Sequence, residues 1–347
     1  MGVVGFLFLG PFNISFCSRK SKVRIVKKIM ERRTRREVLQ AMAAIAASGS
    51  LLPAELPRLL AEDGPIPPGI RFGVQLNAFP IDPKRFDTFL DALAQIKQVG
   101  YQGFEVGFRN VNQQFGGSEP ARRKIEQTDL TFFGIHIFLP SFEMYDPKTR
   151  IAAPSLYEPV ARGGAALGAR HLILEPVARG GAALGARHLI LSGAPAADPD
   201  QLKHKIEGLN AAGRFAKSVG ISTAYHNHWW EFQSKIGEIE ALYTKTDPEL
   251  VHFVLDAGHA FHAGADVPAF IRAHSARIIG FHLRDFKNDE YVELGTGDFP
   301  LRQVAETILH IGWKGWVENE EERADHSQAG LKVIAPAFKA MKEAFTS

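Results

Sequence analysis

Four stretches of the 347-residue chain end an apolar or β-branched run on residues that bind metals or move protons. They are Ile221–Phe232 (ISTAYHNHWWEF), Val254–Gly264 (VLDAGHAFHAG), Gly280–Phe286 (GFHLRDF) and Gly315–Arg323 (GWVENEEER). Such a pattern marks a buried parallel strand whose polar end opens into a site. The four ends supply His226, Asp256, His282 and one of Glu318 or Glu320. Mixed imidazole and carboxylate donors suit one divalent ion of the Mn²⁺, Zn²⁺ or Co²⁺ type, with Mg²⁺ kept as a candidate, better than they suit Ca²⁺.

Side chains alternate along a strand, so His226 and His228 share one face and Tyr225 and Asn227 the other. A lone histidine on an apolar strand is usually a packed core residue, but here two imidazoles point together. Asp256 closes its strand with His259 three residues on, across a glycine that permits a tight turn. His282 lies between Phe281 and Leu283, an apolar pair expected to face outer helices. Acid/base candidates are Glu105, His136, Glu231 and His259; the plainer readings are rim salt bridges for Glu105 and Glu231 and core packing for His136. Substrate-binding candidates are His228, Trp229, Arg284 and Asp285. Trp229 and Trp230 suit stacking on a sugar face or sealing of the barrel top, and Arg284 and Asp285 also suit an ion pair with each other.

The elements that position these residues alternate between strand and helix at roughly thirty-residue spacing. Strands are expected at IRFGVQL, around Phe104–Val106, at Leu130–Leu139, and at AYHNH, HFVLDA, IIGFHL and GWVEN. Helices include one running from Phe86 to a stop at Gly100, and others at Leu202–Ser218 and Leu301–His310. Eight βα units favour a closed (β/α)8 TIM barrel over residues 70–347 rather than an open doubly wound sheet. No Gly-rich dinucleotide fingerprint follows the first strand.

One feature belongs to no fold: EPVARGGAALGARHLIL occupies 158–174 and recurs, identical in all 17 positions, at 175–191. Only one copy of ARHLIL fits as the fourth strand. The second is expected there because it leads into SGAP, with the first lengthening the preceding helix or bulging outward.

Composition, at 45% apolar and 23% charged, is that of an ordinary globular protein. Of 41 basic and 38 acidic residues, ten and one fall within residues 1–36, which leaves 31 against 37 in the remainder. That acidic balance argues against a nucleic-acid surface. Cys17 is the sole cysteine, so no intrachain disulfide forms.

From Met30, the paired Arg35 and Arg36 and the short Ala-rich run Ala41–Leu52 resemble a twin-arginine export signal, too short and mild to span a membrane. The expectation is signal and linker over 30–69, use of the twin-arginine machinery, and a periplasmic location; a cytoplasmic protein with a basic amphipathic helix is the alternative. Residues 1–29 read as an extension upstream of the true start.

The polar cluster on strand five, the Asp-x-Gly-His after strand six (Asp256 to His259), the His-x-Arg-Asp of strand seven (His282 to Asp285), LGTGDFP (Leu294–Pro300) and a Glu after Gly-Trp on strand eight together resemble the xylose-isomerase-like barrel superfamily. The resemblance covers about residues 70–345. It implies one divalent metal at the C-terminal mouth, held by His226, Asp256, His282 and Glu320. Sugar epimerases of this group have Glu where His226 stands, so their two-glutamate mechanism does not transfer directly.

The expected reaction is a sugar isomerisation or epimerisation by metal-assisted proton transfer next to a carbonyl, through an enediolate. A lyase or dehydratase of keto-sugars or 3-keto-glycosides on the same site is the first alternative, and a non-catalytic carbohydrate-binding barrel is the second. A multi-metal endonuclease is disfavoured by the acidic barrel and the shortage of further ligands.

Overall fold

The computed structural model describes residues 64–139, 169–322 and 329–346, and its barrel unit runs from Ile66 to Phe345. The twin-arginine motif, residues 1–29 and the first part of the duplicated segment lie outside the described residues. Among the described residues, no helix is long and apolar enough to cross a membrane.

Eight parallel strands close the barrel: β1 (Ile70–Gln75), β2 (Gly103–Gly107), β3 (Thr131–Leu139), β4 (His188–Gly193), β5 (Ser222–His226), β6 (Val251–Asp256), β7 (Ile278–Leu283) and, after the short antiparallel hairpin β8 (Asp285–Lys287) and β9 (Glu290–Val292), β10 (Gly315–Asn319). Each pairs with its sequence neighbour in the barrel, and β10 closes onto β1 with Gly73 opposite Glu318. This is the TIM barrel expected from the alternation of elements.

The helices follow local signals. In α1 (Phe86–Val99), Phe89, Leu93 and Ile96 form a buried stripe, and Gly100 stops the helix at φ 113°. After α2 (Ser118–Glu126) and α3 (Ala169–Leu184), the long α4 (Pro199–Ser218) starts where the Asp198 side chain accepts from the Gln201 amide, with proline in its first turn. The remainder are α5 (Trp229–Phe232), α6 (Glu238–Lys245), α7 (Ala257–His262), α8 (Val267–His274), α9 (Leu301–His310) and α10 (Leu331–Thr346).

The duplicated sequence takes two forms. Ala169–Leu174 of the first copy lies in α3, whereas in the second copy Gly185, at φ 98°, ends that helix and His188–Leu191 enter β4 between β3 and β5. The same four residues, HLIL, are helix in one copy and strand in the other according to what they can pair with, so context overrides local preference.

Inside the barrel, Phe133, Ile190, Ala224, Val254 and Trp316 form an apolar floor. Gly103 makes room for the Trp316 ring, since a Cβ there would lie 2.5 Å from it. Full burial of each large side chain contributes about 1.5–3 kcal/mol, so the floor seals the lower end while the upper rings are left to polar groups. One expectation needs correction: AYHNH is strand only to His226, and His228 instead caps the N-terminus of α5.

Candidate functional site

The last four staves of the barrel deliver four buried donors to one point. His226 ends β5, Asp256 ends β6, His282 lies on β7, and Glu320 follows β10. His226 Nε2 is 3.1 Å from Glu320 Oε2 and 3.4 Å from Asp256 Oδ2, and His282 Nδ1 is 2.5 Å from the same Glu320 oxygen. One ligand atom from each lies within 4.8 Å of all the others. Bonds of about 2 Å to a shared cation place donors roughly 3–4 Å apart, so the spacing of these four donors is of the order a coordination shell needs.

Local structure fixes the four donors. Asp256 Oδ1 accepts from the His259 amide at 2.7 Å, capping α7 and leaving Oδ2 for the cluster. The Asn227 side chain bonds both backbone groups of Asp256, at 3.0 and 3.1 Å, and so ties β5 to β6 at their polar ends.

The electrostatics call for positive charge. Burial alone would lower the His226 pKa, but hydrogen bonds to Asp256 and Glu320 raise it to about 9. His282 is pushed well above its ordinary value because Glu105 and Glu320 outweigh its burial. Asp256 and Glu320 run the other way: burial opposes their charge, yet Arg284 and the histidines hold both carboxyls well below the ordinary range. A divalent cation supplies the charge these protons carry, so the donor set fits one.

Arg284 Nε lies 2.6 Å from Asp256 Oδ2, its Nη2 lies 2.6 Å from Glu320 Oε2, and it also pairs with Glu322. It orients two donors rather than pairing with Asp285. Asp285, expected to bind substrate, accepts from the backbone amides of Phe286, Gly295, Gly297 and Phe299 and thereby pins the loop carrying LGTGDFP. Gly258 is explained by room: a Cβ there would strike Arg284, and its φ is not positive.

Glu318 lies one ring deeper, facing Gly73 and His282 across the strand pairs. Both of its oxygens are buried without a hydrogen-bond partner, and burial followed by the Glu105 charge pushes its carboxyl well up. With Glu105 and His282 it forms a second, three-membered donor group that shares His282. Glu320, just past the end of β10, is the acid that joins the four-donor cluster.

On the other side of the mouth, Glu105 of β2 is wholly buried rather than in a rim salt bridge. Its Oε1 is 2.8 Å from His136 Nδ1, and its Oε2 is 3.1 Å from His282 Nε2. Burial opposes its charge, but His282 and His136 hold the pKa at about 2. An ionised carboxylate only accepts, so His136 Nδ1 carries the proton. The other nitrogen of His136, Nε2, lies 2.7 Å from Ser192 Oγ. Sequence reading missed Ser192; the available signal was its place two residues after Ile190, which puts it on the inward face of β4. A cavity of about 600 Å³ is lined by His136, Ser192, Phe138, His228, Arg109 and Glu320, among others.

His228 stacks on Trp230 at 4.2 Å and 7° and is kept neutral by burial and by His226. Trp229, expected on the substrate, is 37% exposed and does not line the cavity. His259 is buried beside His228 with neither ring nitrogen partnered, and burial followed by Arg284 lowers its pKa to about 3. It does not line the cavity either.

Glu231, expected to act as an acid or base, is drawn outward into another network. Its Oε1 accepts from the Tyr225 hydroxyl at 2.5 Å and faces Lys205 Nζ at 3.4 Å, while Oε2 accepts from the His228 amide at 2.8 Å. Both oxygens serve to hold α5.

A sequence profile described as "Xylose isomerase-like TIM barrel" matches residues 93–343. An inosose dehydratase of Mesomycoplasma hyopneumoniae is 25% identical over 233 residues, 67% of this chain and 74% of that protein. Among solved structures, a sugar phosphate isomerase/epimerase of Parabacteroides distasonis has a TM-score of 0.61 at 18% identity, over 82% of this chain and 98% of that one. A 3-keto-D-glucoside 4-epimerase of E. coli has a TM-score of 0.56 at 14% identity, over 78% and 98%.

Proposed function

The chain belongs to the xylose isomerase-like TIM barrel family, and from that premise we propose that it is a divalent-metal-dependent enzyme moving a proton next to the carbonyl of a sugar or sugar derivative. The observation that carries the reading is the convergence of His226, Asp256, His282 and Glu320, each buried and each from a different stave. When bound, the cation polarises neighbouring substrate oxygens and lowers the cost of removing the adjacent proton.

The chain's own residues do the rest. Arg284 and Asn227 hold the donors in place, and Glu320 and His136 face the cavity from opposite sides. His136, its tautomer fixed by Glu105, is one acid/base group on the cavity wall. Export by the twin-arginine route, from Arg35 and Arg36, belongs to the same proposal.

A second reading is elimination on the same site, a dehydratase or lyase. It is favoured by His226 at the strand-five position, where a second glutamate is absent, and by the dehydratase relative. The test is metal analysis of purified protein, followed by proton NMR in D₂O with D-fructose, a 3-keto-glucoside and an inosose as probes. One bound divalent ion and deuterium entering next to the carbonyl support the reading, and new alkene or enone signals favour elimination. Protein that takes up no Mn²⁺, Zn²⁺ or Co²⁺ and exchanges no proton overturns both.

A further inference from the structure

Ser192 is the end of a linear hydrogen-bonded chain whose inner members serve the reading above, while its own hydroxyl has no role there. From the cavity wall inward it runs Ser192 Oγ to His136 Nε2 at 2.7 Å, His136 Nδ1 to Glu105 Oε1 at 2.8 Å, and Glu105 Oε2 to His282 Nε2 at 3.1 Å. Strands β2, β3, β4 and β7 bring its members together, with His136 paired to Ile190 and Phe138 to Ser192 in the register. Because Glu105 fixes the proton on Nδ1, the Ser192 hydroxyl must donate to Nε2. This is the order of a hydroxyl, an imidazole and a carboxylate in which the carboxylate sets the tautomer and steadies the imidazolium that forms. Both Ser192 and His136 line the cavity that Glu320 reaches from the cation side.

We propose that Ser192 carries the oxygen-bound proton of the reaction, passing it between a substrate hydroxyl and His136, while the carbon-bound proton is moved by other groups. The inference rests on the proposed proton-transfer reading of this site. In the forward step, a substrate O–H breaks and its proton bonds to Ser192 Oγ, as Ser192's own proton passes to His136 Nε2. The reverse sequence returns one proton to a substrate oxygen, either the neighbouring carbonyl oxygen in an isomerisation or the departing hydroxyl in an elimination. No oxidant or outside acid is consumed, and only O–H and N–H bonds change. A serine hydroxyl is a poor base toward carbon but well suited to transfer between oxygens. Glu105 is a positioning residue, since it is buried behind His136 and does not reach the cavity.

Two measurements test this. In ¹⁵N-labelled wild-type protein, His136 should show protonated Nδ1 and an Nε2 that accepts a hydrogen bond, and Ser192→Ala should move the Nε2 resonance alone. A proton resident on Nε2 in the neutral ring overturns the proposal whether or not any probe sugar turns over. In D₂O, on whichever probe the wild type converts, Ser192→Ala should lower net turnover by about 10²-fold with KM nearly unchanged. Deuterium should still wash into the carbon next to the carbonyl at close to the wild-type rate, and Ser192→Thr should restore turnover in part. Wash-in falling in step with turnover, or turnover unaffected by Ser192→Ala, overturns the proposal. A wild type that binds no metal and converts no probe counts instead against the underlying reading, while the ¹⁵N result still decides the place of Ser192.

Discussion

Adjacent residues of β5 face two different clusters of buried charge. Tyr225 points out of the barrel to Lys205, Glu231 and Glu238, and His226 points in to Asp256, His282, Glu320 and Arg284. The outer cluster satisfies itself. Glu238 takes Lys205 at 2.5 Å and the Ala196 amide at 2.9 Å, Glu231 takes Lys205, the Tyr225 hydroxyl and the His228 amide, and Lys205 also donates to the Ala194 carbonyl. All four carboxylate oxygens have donors, so the network ties α4, α5 and α6 to the barrel wall. In the inner cluster three donor groups crowd onto the single oxygen Glu320 Oε2, and the histidines must hold extra protons to balance it. The outer network is closed on itself and fits a structural role, whereas the inner one is a donor set that fits an added cation.

Breaking the inner cluster should have the largest effect. Asp256→Ala is expected to remove the bound metal and lower turnover by about 10²–10³-fold, seen by elemental analysis and by the D₂O assay; metal retained at full stoichiometry would remove Asp256 from the shell. Breaking the outer cluster should do the converse. Lys205→Met leaves two buried carboxylates without their cation and is expected to cost about 3–5 kcal/mol in chemical denaturation, with metal stoichiometry unchanged in the protein that folds. Loss of metal without loss of stability would mean that the outer network is not merely structural.

The two clusters also part in their response to pH. His226, raised to about 9, and His282, also raised well above its ordinary value, must give up protons to become ligands, so metal affinity should rise with pH by about tenfold per unit for each proton displaced. Metal titrations at several pH values check this, and a flat profile contradicts it. In metal-free protein the sign reverses: the raised His226 pKa stabilises the fold fully below about 6.5, and that contribution is lost as pH rises through about 9.

The smallest effect belongs to Glu318. A carboxyl buried with no hydrogen-bond partner for either oxygen, and only a 3.9 Å contact to His282, is carried at a cost, so Glu318→Gln should raise the melting temperature by a few degrees and leave the metal in place. Metal loss in this variant would move the ligand assignment from Glu320 to Glu318.

The barrel and the four converging donors were legible because each donor ends an apolar run, and a parallel strand in a barrel can aim such an end only at the mouth. Partners on other strands were not legible. Nothing near Glu231 in sequence announces Lys205, and nothing near Asp285 announces the amides of Gly295, Gly297 and Phe299, so both acids read as chemistry when their oxygens serve backbone and lysine. Ser192 was hidden for the same reason, because its meaning depends on a histidine 56 residues away. In the duplication, identical residues gave no local basis for choosing which copy forms β4, and only the exit toward α4 pointed to the second.

The most direct test of the central claim is a crystal structure with Mn²⁺ added and anomalous scattering recorded. The account predicts one manganese peak bonded to His226, Asp256, His282 and Glu320 at about 2.0–2.3 Å, with Glu318 outside the shell. A peak held by Glu318, or no peak among these residues at saturating Mn²⁺, would contradict it.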